Sequence, residues 1–222
     1  MTIAPEQFPA LSAFDDRIRH GFVGRIPDLD VDLDRETALA RLTDVHREAR
    51  AGLGLAGFAF VHAQQVHGAG VAIVSETPTA TPAPPRAAVD ALVTNQRGIC
   101  LGIFVADCAA VYCFDPEQGI IGLAHSGKKG TELGVVTETL RMMESLGARP
   151  ADVVVQISPC IRPPHYEVDF AAEIAAQCRR AGVRQIHDEG ICTHTNVERY
   201  YSYRREKGRT GRMLAMLALR EG

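Results

Sequence analysis

Hydrophobic positions along this chain change period several times, and the changes mark out its elements. From Asp34 to Gly52 apolar residues recur at three- and four-residue spacing, with Leu39, Leu42, Val45 and Ala49 on one face. Asp34 can accept from free backbone N–H groups and Gly52 can end the last turn, so a helix is expected between them. The period then shortens. "FAFVHA" (58–63), "GVAIV" (70–74), "DALVT" (90–94) and "ICLGIFVA" (99–106) are compact apolar runs, several of them rich in β-branched and aromatic residues, which predicts strands. "AAVYCF" and "GIIGLAH" flank "DPEQG", whose early Pro and late Gly predict a tight antiparallel hairpin. "DVVVQI" predicts a further strand. Helical spacing returns in Leu133, Val136, Leu140 and Met143 over 131–146, and in Phe170, Ile174 and Cys178 over 169–181. A last helix is expected over 211–219. Consecutive strands in the middle, with helices near the ends and between later strands, predict an α+β fold rather than regular βαβ alternation.

Composition narrows the picture without changing it. The one break is "ETPTATPAPPRAA" (76–88), whose four prolines predict an exposed loop. With no repeat and no convincing boundary, residues 1–222 read as a single domain. The chain is 46% apolar and 23% charged, as ordinary globular proteins are. A net charge of −3 argues against a nucleic-acid partner held by phosphate contacts. "ICLGIFVA" is far shorter than the roughly 20 residues of a membrane helix, so no membrane partner is expected. The opening segment has an early acid and no basic stretch before an apolar core, so a cytoplasmic location is expected. Six scattered cysteines contain no C-x-x-C pair, and Cys100, Cys113 and Cys178 read as small buried apolar residues.

The candidate chemistry gathers around "IIGLAHSGKKGTELG" (120–134). Gly122, Gly127 and Lys128 fit the first seven positions of a phosphate-cradling loop, but Lys129 stands where a Ser or Thr must hold magnesium. An NTPase loop is therefore not expected, although Lys128 and Lys129 can still attract an anion. The hairpin turn lies roughly midway between Cys108 and His125 and so brings them near each other. Such a pair supports either an activated thiol nucleophile or a metal site. His67 of "QVHG" would complete a Cys/His₂ set with one position open, the ligand count of catalytic zinc. Cys160 and His165 in "SPCIRPPHYEV" can form a reactive pair, but the prolines favour a rigid turn. "YYSYRREKGRTGR" (200–212) can grip phosphate or carboxylate through its arginines. His46 reads as a surface residue, and His187 and His194 carry no usable pattern.

These segments together resemble one family. "RHGFVGR", "QVHG", "DALVTNQRGICLGIFVADCAAVYCFDPEQGIIGLAHSGKKG", "SPCIRPPHYEV" and "YYSYRREKGRTGR" occur in the order and spacing of the laccase-domain, or polyphenol-oxidase-like, family of zinc-dependent purine nucleoside phosphorylases. The resemblance implies a layered α-β-β-α arrangement of mixed sheets flanked by helices. It implies that His67, Cys108 and His125 bind a catalytic Zn²⁺, with copper the older and less favoured assignment. It further implies phosphorolysis of adenosine, inosine and methylthioadenosine to base and ribose 1-phosphate, and deamination of adenosine alongside. The partners are then a purine nucleoside and inorganic phosphate, with Arg25, Lys128, Lys129, Arg204 and Arg205 as candidate phosphate or substrate contacts. Three departures stand out. Lys128 and Lys129 replace the Trp-Arg of the usual "AHAGWRG", Arg162 and His165 replace small or thiol-bearing residues, and the glycine-serine stretch after "HGFVGR" is missing. Rival readings are a Cys108–His125 thiol hydrolase and a catalytically degenerate binding protein.

Overall fold

The strands expected in the middle of the chain are present, and they divide between two mixed sheets. The computed structural model describes residues 4–78 and 83–221. In chain order these form α1 (Pro9–Ser12), β1 (Ile18–Val23), α2 (Arg35–Gly52), β2 (Ala59–His62), β3 (Val71–Ile73), β4 (Ala91–Thr94), β5 (Ile99–Val105), β6 (Ala109–Asp115) and β7 (Ile120–Ser126). There follow α3 (Lys128–Glu132), α4 (Val135–Ser145), β8 (Val154–Ile157), α5 (Phe170–Arg180), β9 (Gln185–Asp188) and β10 (Met213–Leu219). One sheet has the order β1-β10-β5-β2 and the other β3-β4-β7-β6-β8-β9. Among the described residues no helix is long and apolar enough to cross a membrane. Part of the proline-rich segment, residues 79–82, lies outside the described residues.

Alternation along β6 shows how the layers stack. Ala110, Tyr112 and Phe114 enter the core shared with the four-stranded sheet and α2, while Ala109, Val111 and Cys113 enter a second core under α4 and α5. A strand covered on both faces needs apolar residues at every position, which is why "AAVYCF" carries no polar alternation. Val136, Leu140 and Met143 of α4 and Phe170, Ile174 and Cys178 of α5 fill the second core. The arrangement is the expected mixed-sheet α+β fold with helices flanking the sheets.

Four local expectations are corrected. The segment 211–219 is not a helix; Met213–Leu219 is β10, paired antiparallel to both β1 and β5. Its Met, Leu and Ala residues favour helix in isolation, but burial between two strands outweighs that preference. The helix expected over 131–146 is broken at Gly134, whose φ of 78° no other residue adopts comfortably, and Leu133 is left 55% exposed. In α2 the buried stripe is Ala38, Leu42, His46 and Ala49. His46 is thus a core residue beside Phe104, and burial lowers its pKa to about 4, so it is neutral at physiological pH. β1 and β9 were not expected; both are short, and "RHGFV" and "QIHD" mix polar with apolar residues.

The predicted hairpin forms. Asp115 Oδ1 accepts from the N–H groups of Glu117 and Gln118, and Gly119 closes the turn with a φ of 63°. Register pairs Ala110 with His125, so Cys108 precedes β6 at the same open end where His125 closes β7. β4 lies antiparallel beside β7, with Ala91 opposite Ala124, which brings Asp90 alongside His125.

One buried contact ties the two sheets. The Tyr112 hydroxyl on β6 donates to the Gly21 carbonyl on β1 at 3.0 Å, and the ring is fully buried. Tyr112→Phe is expected to lower unfolding free energy by about 1–2 kcal/mol, because the Gly21 carbonyl loses a donor that water cannot replace. Urea unfolding followed by far-ultraviolet circular dichroism measures this, and an unchanged midpoint would refute it.

Candidate metal centre

The three residues singled out in sequence meet at the open end of the hairpin. One ligand atom from each of His67, Cys108 and His125 lies within 4.8 Å of the others. His125 is buried, Cys108 half-buried and His67 exposed, so the cluster opens to solvent on the His67 side. Tetrahedral zinc with one thiolate and two imidazoles needs ligand-to-ligand separations of about 3.3–3.6 Å, so small side-chain rotations close the set.

Asp90 places two of these three ligands. Its carboxylate is fully buried, and Oδ1 accepts from Nδ1 of His125 at 2.9 Å. An ionised carboxylate only accepts, so Nδ1 carries the proton and Nε2 of His125 is left for Cys108 or a metal. The same carboxylate receives the N–H groups of Val66 (3.2 Å), His67 (2.9 Å) and Gly68 (2.7 Å). Those bonds hold a loop in which Gln65 and His67 have positive φ of 63° and 60°, a conformation unfavourable for non-glycine residues. Gln65 secures the loop from the other side, since its amide exchanges two hydrogen bonds with the backbone of Phe104 on β5.

Asp107 does for Cys108 what Asp90 does for the histidines. Its φ is 78°, and its carboxylate accepts from Thr193 Oγ1 and from the N–H of Arg204, both at 2.6 Å. Its carbonyl accepts from Ile161 N–H at 2.8 Å. The residue before the thiol is therefore fixed by three separate segments. Across from it, a Cβ on Gly127 would lie 2.5 Å from Cys108 Sγ, so only glycine fits at that point.

The charges are coupled. Burial opposes ionisation of Cys108, but the His125 charge and hydrogen bond, then those of His67, outweigh it and bring the thiol to about 6. Burial likewise opposes a charged His125, yet the Cys108 thiolate and Asp90 raise it to about 9. Between those values the pair exists as thiolate and imidazolium. Asp90 is held below its usual range; burial works against this, and His125 and the Gly68 N–H overcome it.

The other sequence candidates are distributed around this cluster. Lys128 and Arg204 both pair with Glu167, at 3.4 and 3.1 Å. Lys129 and Arg205 are exposed. Arg25 pairs with Glu206 at 2.8 Å and lies over the ring of Tyr201. Cys160 and His165 do not form a reactive pair: Cys160 is buried, which pushes its thiol up to about 12, and His165 stacks on His194 at 4.4 Å. Arg162 makes a two-bonded pair with Asp188. A polar concavity of about 440 Å³, lined by Arg17, Asn95, Arg97, Glu117 and Arg220, sits at the turn end of the hairpin, away from the cluster.

Residues 27–174 and 168–220 match the family model described as multi-copper polyphenol oxidoreductase laccase. The chain belongs to this family. A purine nucleoside phosphorylase of Streptomyces coelicolor is 34% identical over 191 residues, covering 74% of this chain and 77% of that protein. A purine nucleoside phosphorylase of Deinococcus radiodurans is 33% identical over 95% of this chain and 90% of its own length. The crystal structure of YlmD from Geobacillus stearothermophilus superposes over the full length of both chains with a TM-score of 0.80 and 23% identity, a likeness of fold. The family read from the motifs is thus borne out.

Sequence reasoning missed Asp90 and Asp107. The signal for each was available: both are acids inside otherwise apolar stretches, "AAVDALV" and "FVADCAA", where a charge needs a purpose. The coupled thiol gives a direct test. In metal-free protein, alkylation by iodoacetamide is expected to rise with pH and reach half its maximal rate near pH 6. Cys100, Cys160 and Cys178, each pushed up to about 12 by burial, should not contribute. Mass mapping of the modified residue checks the assignment, and a midpoint near the ordinary thiol value of about 8.5 would refute the coupling.

Proposed function

We propose that this chain is a zinc-dependent purine nucleoside phosphorylase that works as one domain. It would convert adenosine, inosine or methylthioadenosine, with phosphate, to base and ribose 1-phosphate. The observation that carries this reading is the carboxylate-backed His-Cys-His cluster in a family whose relatives are named purine nucleoside phosphorylases.

His67, Cys108 and His125 would hold the ion, and their chemistry suits it. One thiolate and two imidazoles with a solvent-facing side match three-ligand zinc sites that keep a position open. When bound, zinc supplies Lewis-acid polarisation of a substrate oxygen or activation of water. The protein's own part is to hold the proton at His125 Nδ1 through Asp90, so that Nε2 is the nitrogen left to hold the ion. Asp107 and Gly127 fix Cys108 from either side. In phosphorolysis a phosphate oxygen bonds to the ribose C1′ as the bond from C1′ to the base nitrogen breaks. Lys128 and Lys129 follow the Gly127 that faces Cys108, and the N–H of Arg204 is bonded to Asp107 beside it, so these residues and Arg205 would draw phosphate toward the cluster. Arg25, already neutralised by Glu206, is the weakest of the sequence candidates. Deamination of adenosine belongs to the same reading as a separate reaction at the purine ring, in which water adds to C6 and ammonia leaves while the bond to ribose stays intact.

The Cys108–His125 ion pair motivates a second reading, in which the thiolate itself is the nucleophile of a hydrolase. Metal dependence separates the two. Metal-loaded protein given adenosine or inosine with phosphate is expected to release free base and ribose 1-phosphate, to lose activity to a chelator, and to regain it with zinc. Asp90→Asn should weaken zinc affinity by about 10–100-fold, measured by competition with a chromophoric chelator. Activity that survives chelation and disappears on alkylation would establish the thiol reading. Recovery by copper but not zinc would reassign the metal. No turnover of any purine nucleoside would leave a degenerate, binding-only member.

A further inference from the structure

Of the cations named from sequence as phosphate contacts, Arg25, Lys128 and Arg204 pair with glutamates, and Lys129 and Arg205 are exposed. The cation best placed to bind an anion is Arg212, the last residue of the arginine-rich segment 200–212. Arg212 is 8% exposed and is the only buried lysine or arginine among the described residues. Among those residues no carboxylate lies within 4.0 Å of it. Its Nη1 donates to the carbonyls of Thr210 (2.7 Å) and Gly211 (2.9 Å). Among the described residues Nε and Nη2 have no protein acceptor, and neither is sealed from solvent. That free edge has the parallel-donor geometry that binds two oxygens of a phosphate.

Topology brings Arg212 to the metal cluster. Met213 pairs with Val105, so Arg212 lies beside the connection from β5 to β6, which carries Asp107 and Cys108. Tyr203, adjacent to the Arg204 whose N–H binds Asp107, presents its half-exposed ring 5.8 Å from the guanidinium. A second arginine near the cluster also has no carboxylate partner among the described residues. Arg35, the first residue of α2, donates from Nη2 to the carbonyl of Gln64, three residues before His67, and has no carboxylate within 4.0 Å among the described residues. A buried cation without a counter-charge is costly to keep. Burial, and next the Arg35 charge, lower the pKa of Arg212 from its ordinary value, outweighing the opposing pull of Tyr203, Cys108 and Asp107, none of which is bonded to it. An anion bound between the two arginines would relieve both effects.

We propose that Arg212 grips a phosphate dianion beside the His-Cys-His cluster through its Nε–Nη2 edge, with Arg35 supplying the second charge. The biological ligand, inorganic phosphate as substrate and the phosphate of ribose 1-phosphate as product, rests on the phosphorylase reading. The site itself rests on the geometry. Lys128, Lys129, Arg204 and Arg205 then steer phosphate inward, and Arg212 holds it.

Phosphorus NMR titration of the zinc-loaded full chain with inorganic phosphate, without nucleoside, tests this. Arg212→Lys keeps the charge but loses the fork, and is expected to weaken phosphate binding by at least about tenfold. Arg35→Ala should weaken it by about three- to tenfold, and Lys129→Ala by less than about threefold. Ribose 1-phosphate should follow the same order. Zinc content should not change in any variant. In turnover, Arg212→Lys should raise KM for phosphate by about the binding factor while KM for the nucleoside stays within about twofold. If Arg212→Lys fails to fold, Arg35→Ala, at an exposed position, carries the test. Absence of phosphate binding to the wild type, or binding that survives both arginine substitutions or is lost in Lys129→Ala alone, overturns the proposal. Phosphate bound through Arg212 without phosphate-dependent turnover would instead overturn the phosphorylase reading and leave this site standing.

Discussion

The carboxylate of Asp90 is the contact on which the candidate site depends. One oxygen fixes the tautomer of His125, and the two oxygens together collect three backbone N–H groups of the loop that carries His67. A buried carboxylate costs several kcal/mol unless its lone pairs are filled, and here four donors fill them. The sheet makes this possible. β4 and β7 are antiparallel neighbours, so the residue preceding β4 falls beside the end of β7 without any long loop. The two histidines are thus placed by one charge rather than by two separate sets of contacts. Cys108 needs its own support, which Asp107 and the glycine opposite provide.

Much of the fold was legible because periodicity reports burial. The hairpin from Ala109 to Ser126 followed from its turn residues, and the meeting of Cys108 with His125 followed from the hairpin. What failed were elements whose surroundings decide the outcome. Met213–Leu219 is made of helix-favouring residues but lies between two strands and is covered on both faces, so its sequence has neither a strand's alternation nor a helix's stripe. His46 looked polar enough for a surface, yet it occupies the buried stripe of α2 and stacks near Phe104. The three members of the His-Cys-His cluster were legible from residue type and motif. Their supports were not, because an aspartate before a strand looks the same whether it caps a turn or orients a histidine.

The family resemblance and the geometry answer different questions. The relatives' names motivate the substrate class proposed above, whereas the geometry says how this particular chain differs from the family motif. Lys128 and Lys129 stand where the family motif has an aromatic ring and a guanidinium. Lys128 is drawn to Glu167, which Arg204 also holds, and Lys129 points to solvent. These lysines therefore cannot reproduce a stacked, two-bonded contact. Arg212, buried and with no carboxylate partner among the described residues, retains the fork that they lack. The short helix they begin, Lys128–Glu132, is cut off before Gly134 and cannot serve as an extended phosphate-binding dipole.

The central claim is that His67, Cys108 and His125 form a single metal-binding set organised by Asp90. Zinc-edge X-ray absorption of the stoichiometrically loaded protein tests it most directly. The account predicts one sulfur at about 2.3 Å and two imidazole nitrogens at about 2.0–2.1 Å around each ion. A shell of nitrogen and oxygen without sulfur, or one with more than a single sulfur, would contradict it.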